Sequence, residues 1–253
     1  MTPAPAWRGL VVPSLTALVL LAALLALGTW QIERKAWKEA LIATLAQRVD
    51  APPMDVPARG GWNGLDAGSM EFRRVTFTAE LVSGEEALVY TAGSAFRTDV
   101  SGPGYWVFAP ARSADGGTIV VNRGFVPEGR QDPASRAEGQ IRGKVEIVGA
   151  MRWPETRGMF TPADEPQRNL WFVRDHIAMA AAKGWGEVAP FFVDQEAPPA
   201  PGGLPKAGRI VPNLPNNHLQ YALTWYGLAL VLVVAFVVWA RGRRSELRLD
   251  PPD

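Results

Sequence analysis

The stretch LVVPSLTALVLLAALLALGTW at residues 10–30 and the stretch LQYALTWYGLALVLVVAFVVWA at residues 219–240 decide the fold of this chain. Neither contains a charged side chain, and each supplies the roughly 20 residues that a helix needs to cross a hydrocarbon core about 30 Å thick. We therefore predict two transmembrane helices that flank a central domain. The alternatives are a buried helix of a soluble protein and, for the first stretch, a cleaved signal peptide.

Basic residues near the two stretches predict their orientation. Four arginines follow the second stretch at residues 241–248, and two basic residues precede it at 206–209. Because cytoplasmic flanks carry the excess of Lys and Arg, both termini are predicted to be cytoplasmic and the central domain periplasmic. Three basic residues at 34–38 follow the first stretch and would favour the opposite orientation, but a long translocated domain tolerates such charges. The predicted segments are a cytoplasmic N-terminus (1–9), transmembrane helix 1 (10–30), an amphipathic stalk helix (31–50), a periplasmic β-rich domain (51–217), transmembrane helix 2 (218–240) and a cytoplasmic tail (241–253).

Composition excludes several classes of protein. The net charge is +1, with 20% charged and 47% hydrophobic residues, which favours an ordered domain and argues against a nucleic-acid partner held by a basic surface. The chain has no cysteine, so it can form neither disulfides nor a thiolate metal site. The N-terminus lacks the Arg-rich and Ser-rich amphipathic composition of a mitochondrial transit peptide. We expect a multi-pass protein of the bacterial inner membrane.

From residue 72 onward, the spacing of hydrophobic residues changes from the helical repeat to alternation at every second residue. Val75, Phe77, Ala79 and Leu81 alternate with polar residues, as in a strand with one wet face. Asp115 and two glycines predict the turn of a hairpin. The fold class predicted for the chain is two transmembrane α-helices flanking a mainly antiparallel β (α+β) extracytoplasmic domain. Its predicted elements are strands near 72–81, 86–90, 105–109, 118–122, 141–147 and 190–194 and a short helix at 175–182.

Six segments carry a specific similarity. They are LGTWQIERKAWKEALI, FRRVTFTAEL, PGYWVFAPARSADGGTIVVNRGFVP, MRWPETRGMFTPADEPQRNLWFVRD, PFFVD and PNNHLQYALTWYGLAL. In this order, with the last joined to an apolar span, they resemble the Surfeit locus protein one family of cytochrome c oxidase assembly factors. The resemblance extends from residue 27 to about residue 239.

The resemblance implies an assembly factor and not an enzyme. Members of this family assist formation of subunit I of haem-copper cytochrome c oxidase and are thought to present or stabilise haem a, which is bound as cargo. Their proposed axial ligand to the haem iron falls on His218, within the matching motif at residues 216–225. The implied partners are oxidase subunit I and membrane lipid, with haem a synthase as a further candidate, and a homo-oligomer is left open. The alternative function is a membrane-anchored protein-binding scaffold without haem ligation.

The residues around His218 are compatible with this reading. Neutral imidazole is a common axial ligand of haem iron, and an ionisable residue at a membrane span invites a functional explanation. His218, Tyr221 and Trp225 are spaced i, i+3 and i+7, so they share one helical face on which a macrocycle could lie. Alternatively, these three residues form an interfacial belt with wet polar tips. Asn216 and Asn217 are predicted to cap the helix.

Other candidate sites are weaker. Asp175 and His176 could belong to a hydrolase triad, but no strained nucleophile motif accompanies them, and His176 is predicted to lie at the surface or at a helix end. The histidines and cysteines are too few for a metal cluster. A loop with Trp153, Arg157 and Phe160 is predicted to pack over the sheet, with docking of a partner as the alternative.

Overall fold

The computed structural model describes residues 8–82, 84–94, 96–211 and 215–249. Most of the predicted N-terminal segment, the side chain of Arg248 and the end of the predicted tail lie outside this description. The chain divides into two units, one of residues 1–42 with 215–253 and one of residues 43–214. The boundaries of the six predicted segments stay a prediction.

Two long helices carry the apolar stretches. Helix α1 spans Arg8–Asp50 and helix α4 spans His218–Leu249, and the short helices α2 (Ala67–Met70) and α3 (His176–Lys183) lie between them in the sequence. Large apolar side chains such as Val12, Leu18 and Leu223 are exposed. By length and composition, both helices are long and apolar enough to cross a membrane.

Eight strands within the described residues form one sheet. They are β1 (Met54–Asp55), β2 (Arg74–Leu81), β3 (Ala87–Gly93), β4 (Ser101–Ser113), β5 (Thr118–Pro127), β6 (Lys144–Arg152), β7 (Leu170–Trp171) and β8 (Phe192–Ala197). Their order in the sheet is β1-β2-β6-β8-β5-β4-β3-β7. A further pairing between β2 and β4 closes the sheet into a barrel of five strands, and β1, β3 and β7 lie outside the ring.

The barrel corrects the predicted, mainly antiparallel sheet. The central unit is β-rich as predicted, but the ring contains a parallel seam in which Val120 pairs with Phe192 and Asn122 with Asp194. A parallel pair needs a long crossover, and residues 128–191 supply one between β5 and β8. The alternation of hydrophobic and polar residues along a strand does not reveal whether it pairs in a parallel or an antiparallel direction, because a strand buries one face in the same way in both arrangements.

Strand β5 separates two hydrophobic cores. Ile119 and Val121 pack inside the barrel in one core with Phe77 and Phe191. Val120 points to the other face, into a second core that contains Met179. Side chains alternate between the faces of a strand, so a strand with a core on each side is apolar throughout.

The predicted hairpin is present between β4 and β5. Ser113 N donates to Gly117 O at 2.9 Å, and Gly116 has a φ of +79°, which glycine adopts without strain. The Ser113 hydroxyl and the backbone N–H groups of Arg59 and Gly117 donate to Asp115 and lower the pKa of its carboxyl group. Strand β4 is longer than predicted.

The short helix α3 spans His176–Lys183, and the Asp175 carboxylate caps it by accepting from Ile177 N and Ala178 N. His176 lies at the helix end as predicted, but the alternative of a surface position is wrong because its side chain is fully buried. Its Nε2 lies 2.9 Å from Ala189 O, and its ring packs 5.4 Å from the Phe192 ring. Burial lowers the pKa of His176 to about 4.

We expect Phe191→Ala to lower the free energy of unfolding of the β-rich unit by about 3–5 kcal/mol, because it opens a cavity in the barrel core. Phe191 is fully buried, with its ring 6.0 Å from Trp62 and 5.9 Å from Trp153. Phe160→Ala is the matched control, because that side chain is 94% exposed and its loss should change stability by less than about 0.5 kcal/mol. Urea titrations of the detergent-purified chain measure both values, and equal losses would contradict the placement of Phe191.

We expect part of the acid sensitivity of this unit to come from His176. The imidazole titrates near 6.5 when unfolded and near 4 when folded, so the unfolded state binds more protons between these values. The free energy of unfolding therefore falls as the pH falls from 6.5 to 4, by up to about 3 kcal/mol from this residue. His176→Leu should remove that part of the slope in pH-dependent urea titrations. Parallel pH profiles of the two proteins would contradict a neutral buried imidazole.

Candidate functional site

Small residues bring α1 and α4 together within their unit. A Cβ atom at Gly28 would lie 2.7 Å from Tyr226 Cε1, and Ala222 and Ala229 are buried. Thr29 Oγ1 lies 3.2 Å from the Tyr226 hydroxyl oxygen, within hydrogen-bond distance. Close approach at small residues and hydrogen bonds between side chains are the usual means of helix association in a membrane. This packing fixes which residues of α4 face α1.

His218 is the first residue of α4 and contacts α1 through its ring. Its Nδ1 lies 2.7 Å from Gln31 Oε1, and the pair is partly buried. An amide oxygen can only accept a hydrogen bond, so Nδ1 carries the proton and donates it. In the imidazole form with its proton on Nδ1, the lone pair lies on Nε2. The contact with Gln31 therefore fixes the ring and leaves Nε2 as the atom able to bind a metal ion.

Tyr221 and Trp225 lie on the same side of α4 as His218, within about 60° of it around the helix axis. Trp225 is partly buried and Tyr221 is 55% exposed. Ala222 and Ala229 are buried and mark the line along which α4 contacts α1. Among His218, Tyr221 and Trp225, Tyr221 is turned furthest from this line, which explains why it is the most exposed of the three. An accessible aromatic surface therefore extends about 10 Å along α4 from the imidazole.

The two asparagines before His218 have different surroundings. Asn217 O accepts from Tyr221 N at 3.2 Å, which is the first turn of α4. Asn216 Oδ1 is buried and has no hydrogen-bond partner among the described residues. A buried acceptor without a donor costs free energy, so this position suits a ligand or water molecule that can donate. Side-chain capping by these residues stays a prediction.

An apolar groove of about 230 Å³ lies elsewhere on the same helix pair. It begins 14 residues after His218, which corresponds to about 21 Å along α4. The groove therefore does not include the imidazole. It is lined by Ser14, Ala17, Leu18, Leu21, Leu232, Val233 and Phe236.

The β-rich unit holds a separate buried cluster of charges. Asp194 accepts from Asn122 Nδ2 at 2.6 Å and from Arg152 Nη1 at 3.2 Å, and Arg174 Nη1 lies 3.6 Å away. Burial acts to lower the pKa of Arg174, but Asp194 and Glu155 raise it above its ordinary value. Burial likewise acts to raise the pKa of Glu155, and the charges of Arg174 and Arg152 lower it instead. These charges are paired, so they favour a structural role over acid–base chemistry.

The residues that the structure describes form no cluster of side chains able to ligate a metal ion. Within residues 8–82, 84–94, 96–211 and 215–249, no three His, Cys, Asp or Glu side chains come close enough to hold a metal ion. His176 is fully buried and packs against Phe192 of the second core, and its Nδ1 has no hydrogen-bond partner among the described residues. His218 is thus the imidazole whose surroundings suit ligand binding.

Sequence reasoning missed Gln31. It directly follows the apolar stretch 10–30 and belongs to the segment LGTWQ, but an amide there has an equally good explanation as a wet residue at the end of a span. Its pairing with His218 joins residues 187 positions apart. Only the packing of α1 against α4 reveals it.

Comparison with known proteins places the chain in a family. The model of the SURF1 family matches residues 18–230. The chain belongs to the SURF1 family. It is 37% identical over 238 residues to a SURF1-like protein of Monosiga brevicollis, covering 89% of this chain and 87% of that protein.

Two vertebrate relatives agree with this assignment. Surfeit locus protein 1 of Homo sapiens is 37% identical over 214 residues, which are 80% of this chain and 69% of the human protein. Surfeit locus protein 1 of Takifugu rubripes is 36% identical over 233 residues, which are 88% of this chain and 91% of the fish protein. The match of the SURF1 family model includes Gln31, His218, Tyr221 and Trp225.

Proposed function

We propose that this chain is an assembly factor for haem-copper cytochrome c oxidase, which binds haem a as cargo and assists its insertion into, or stabilisation in, subunit I. Membership of the SURF1 family and the similarity of six ordered segments support this proposal. The chain has no catalytic role in it. The haem supplies the iron centre of the oxidase, and this protein supplies binding and orientation.

The hydrogen bond between His218 and Gln31 is the observation that carries the proposal. A metal-bound histidine usually donates its other ring N–H to an oxygen, which fixes the tautomer and makes the ligating nitrogen more basic. Gln31 provides that oxygen. His218 Nε2 would then be the axial ligand, with Trp225 and Tyr221 beside it as the surface against which a macrocycle lies.

The same hydrogen bond also favours a second candidate function. The hydrogen bond of His218 with Gln31 and the contact of Thr29 with Tyr226 both link α1 to α4. Stabilising this pair of helices would by itself explain a polar contact at this position. In that case the chain is a membrane-anchored scaffold that binds oxidase proteins without ligating haem. A titration with haem a separates the two functions.

We propose the bacterial inner membrane as its location, with both termini in the cytoplasm and the β-rich unit in the periplasm. The arginines after α4 support this orientation. The relatives compared above are eukaryotic, so the compartment rests on the sequence of this chain alone. Subunit I, haem a synthase and lipid are the proposed partners, and a homo-oligomer is compatible with the arrangement.

We expect His218→Ala to lower haem a affinity at least tenfold and to shift the Soret band, because the iron loses its imidazole. Gln31→Leu should keep a histidine-ligated spectrum but weaken binding about 10- to 100-fold, since the supporting oxygen is gone. Gln31→Glu restores an acceptor and should restore affinity. Absorbance titrations of the full chain in detergent measure these effects.

His176→Leu is the matched control for that titration, because it removes the other imidazole of the chain. It should leave affinity and spectrum unchanged. Wild-type affinity and an unchanged Soret band in His218→Ala would rule out ligation by His218 and leave the scaffold as the function.

We expect a periplasm-dependent reporter fused after residue 60 to be active, and the same reporter fused after residue 248 to be inactive. The excess of arginine after α4 should retain that end in the cytoplasm. A cytoplasm-dependent reporter at the same two positions is the control and should give the reverse pattern. Activity of the periplasmic reporter only at residue 248 would invert the proposed topology.

A further inference from the structure

Two apolar side chains stand out at the tip of the loop between β6 and β7. Thr161 N donates to Gly158 O at 3.1 Å, which closes a turn with Met159 and Phe160 at its corner. Their side chains are 92% and 94% exposed, whereas the next most exposed large apolar side chain of this unit's described residues, Val211, is 52% exposed. Turn corners are usually Gly, Pro, Asn, Asp or Ser. The predicted packing of Phe160 over the sheet is therefore wrong, although Trp153 does pack there.

The base of the turn is fixed by polar contacts. The Arg157 guanidinium donates to Pro162 O and to the Asp164 carboxylate, and Asp164 Oδ1 accepts from Phe172 N at 2.7 Å. At the start of the loop, the Trp153 ring lies 5.9 Å from Phe191 in the barrel core. A loop held in this way loses little conformational entropy when its tip is buried by a partner.

We propose that the Met159–Phe160 tip inserts into the headgroup and acyl boundary of the membrane that α1 and α4 cross. This inference rests on the membrane placement proposed above but not on haem binding. The unit of residues 43–214 is joined to an apolar helix at each end, and a domain of this size has a radius of gyration of about 16 Å. Its surface therefore stays close to the bilayer, where a weak contact becomes effective because the two are already tethered.

The size and chemistry of the tip favour lipid over a protein partner. A stable protein interface buries at least about 1,000 Å², far more than two neighbouring side chains can contribute. A bilayer needs no complementary shape, and the burial of each such side chain favours the bound state about ten- to a hundredfold. Two arginines of this loop are paired with carboxylates, Arg157 with Asp164 and Arg168 with Glu165. Insertion should therefore depend on apolar contact and not on anionic lipid.

The chain lacks cysteine, so a single fluorophore can report on the tip of the full-length protein. We expect a label at Thr161→Cys, in nanodiscs of zwitterionic phosphatidylcholine, to be quenched by nitroxide lipids and shielded severalfold from aqueous iodide. In the matched variant, Met159→Ser with Phe160→Ser added to Thr161→Cys, lipid quenching should be lost and iodide quenching gained. A label at Leu18→Cys, inside the proposed span, should be quenched by nitroxide lipids in either case.

The possible outcomes separate the two proposals. Equal iodide quenching with and without the serine substitutions, beside normal lipid quenching at Leu18→Cys, would overturn insertion of the tip and leave the membrane placement standing. Shielding of Thr161→Cys from both quenchers would assign the tip to a protein surface, such as a second copy, and would also overturn insertion. Absence of lipid quenching at Leu18→Cys would remove the membrane placement and this inference with it.

Discussion

Closure of the barrel between β2 and β4 is the constraint on which the β-rich unit depends. The seam is short, with Ala79 paired to Ser113 and Leu81 to Ala111, and Val82 N continues it by donating to Pro110 O at 3.0 Å. Without these contacts β2 and β4 would each present an open edge to solvent or to another chain. Strand β4 can serve this seam because it is long: along one edge it pairs with β3 at residues 101–108 and with β2 at residues 111–113, while β5 pairs along its other edge. Closure also gives β5 a core on either face.

The buried charges follow from the same architecture. Asp194 lies on β8 next to the parallel seam, and Arg152 reaches it from β6, where the two strands are paired. An unpaired charge at such a position would cost several kcal/mol, so each member depends on its partners. The Arg152 guanidinium also lies 4.4 Å above the Phe72 ring, which further shields it from solvent. The pairing explains how this unit accommodates these charges in its interior.

The sequence allowed the local features to be predicted, because they depend on neighbours along the chain. Apolar length identified α1 and α4, alternation identified β2, and Asp115 with its two glycines identified the β4–β5 turn. The candidate ligand His218 was found from its place at the start of a span and from a family resemblance. Apart from the family resemblance, each of these signals lies within one continuous stretch of sequence.

Features that depend on distant residues could not be predicted in this way. The direction of β8 beside β5, the burial of His176 under Ala189 and the contact of Gln31 with His218 all join segments without a shared local pattern. Phe160 is the opposite case, because an aromatic side chain is normally expected to be buried, and its exposure was not expected from the sequence. Its exposure follows from the turn at Gly158 and from the contacts of Arg157, which hold it away from the sheet.

One further contact bears on how the β-rich unit is built into the chain. Arg209 Nη2 donates to Val49 O at 2.8 Å and to Asp50 Oδ1 at 2.6 Å, so the segment that enters this unit and the segment that leaves it run side by side. A domain whose ends meet can be exchanged as a cassette, since its removal or replacement leaves only a short gap to bridge. The β-rich unit is thus built into the chain as a module between α1 and α4.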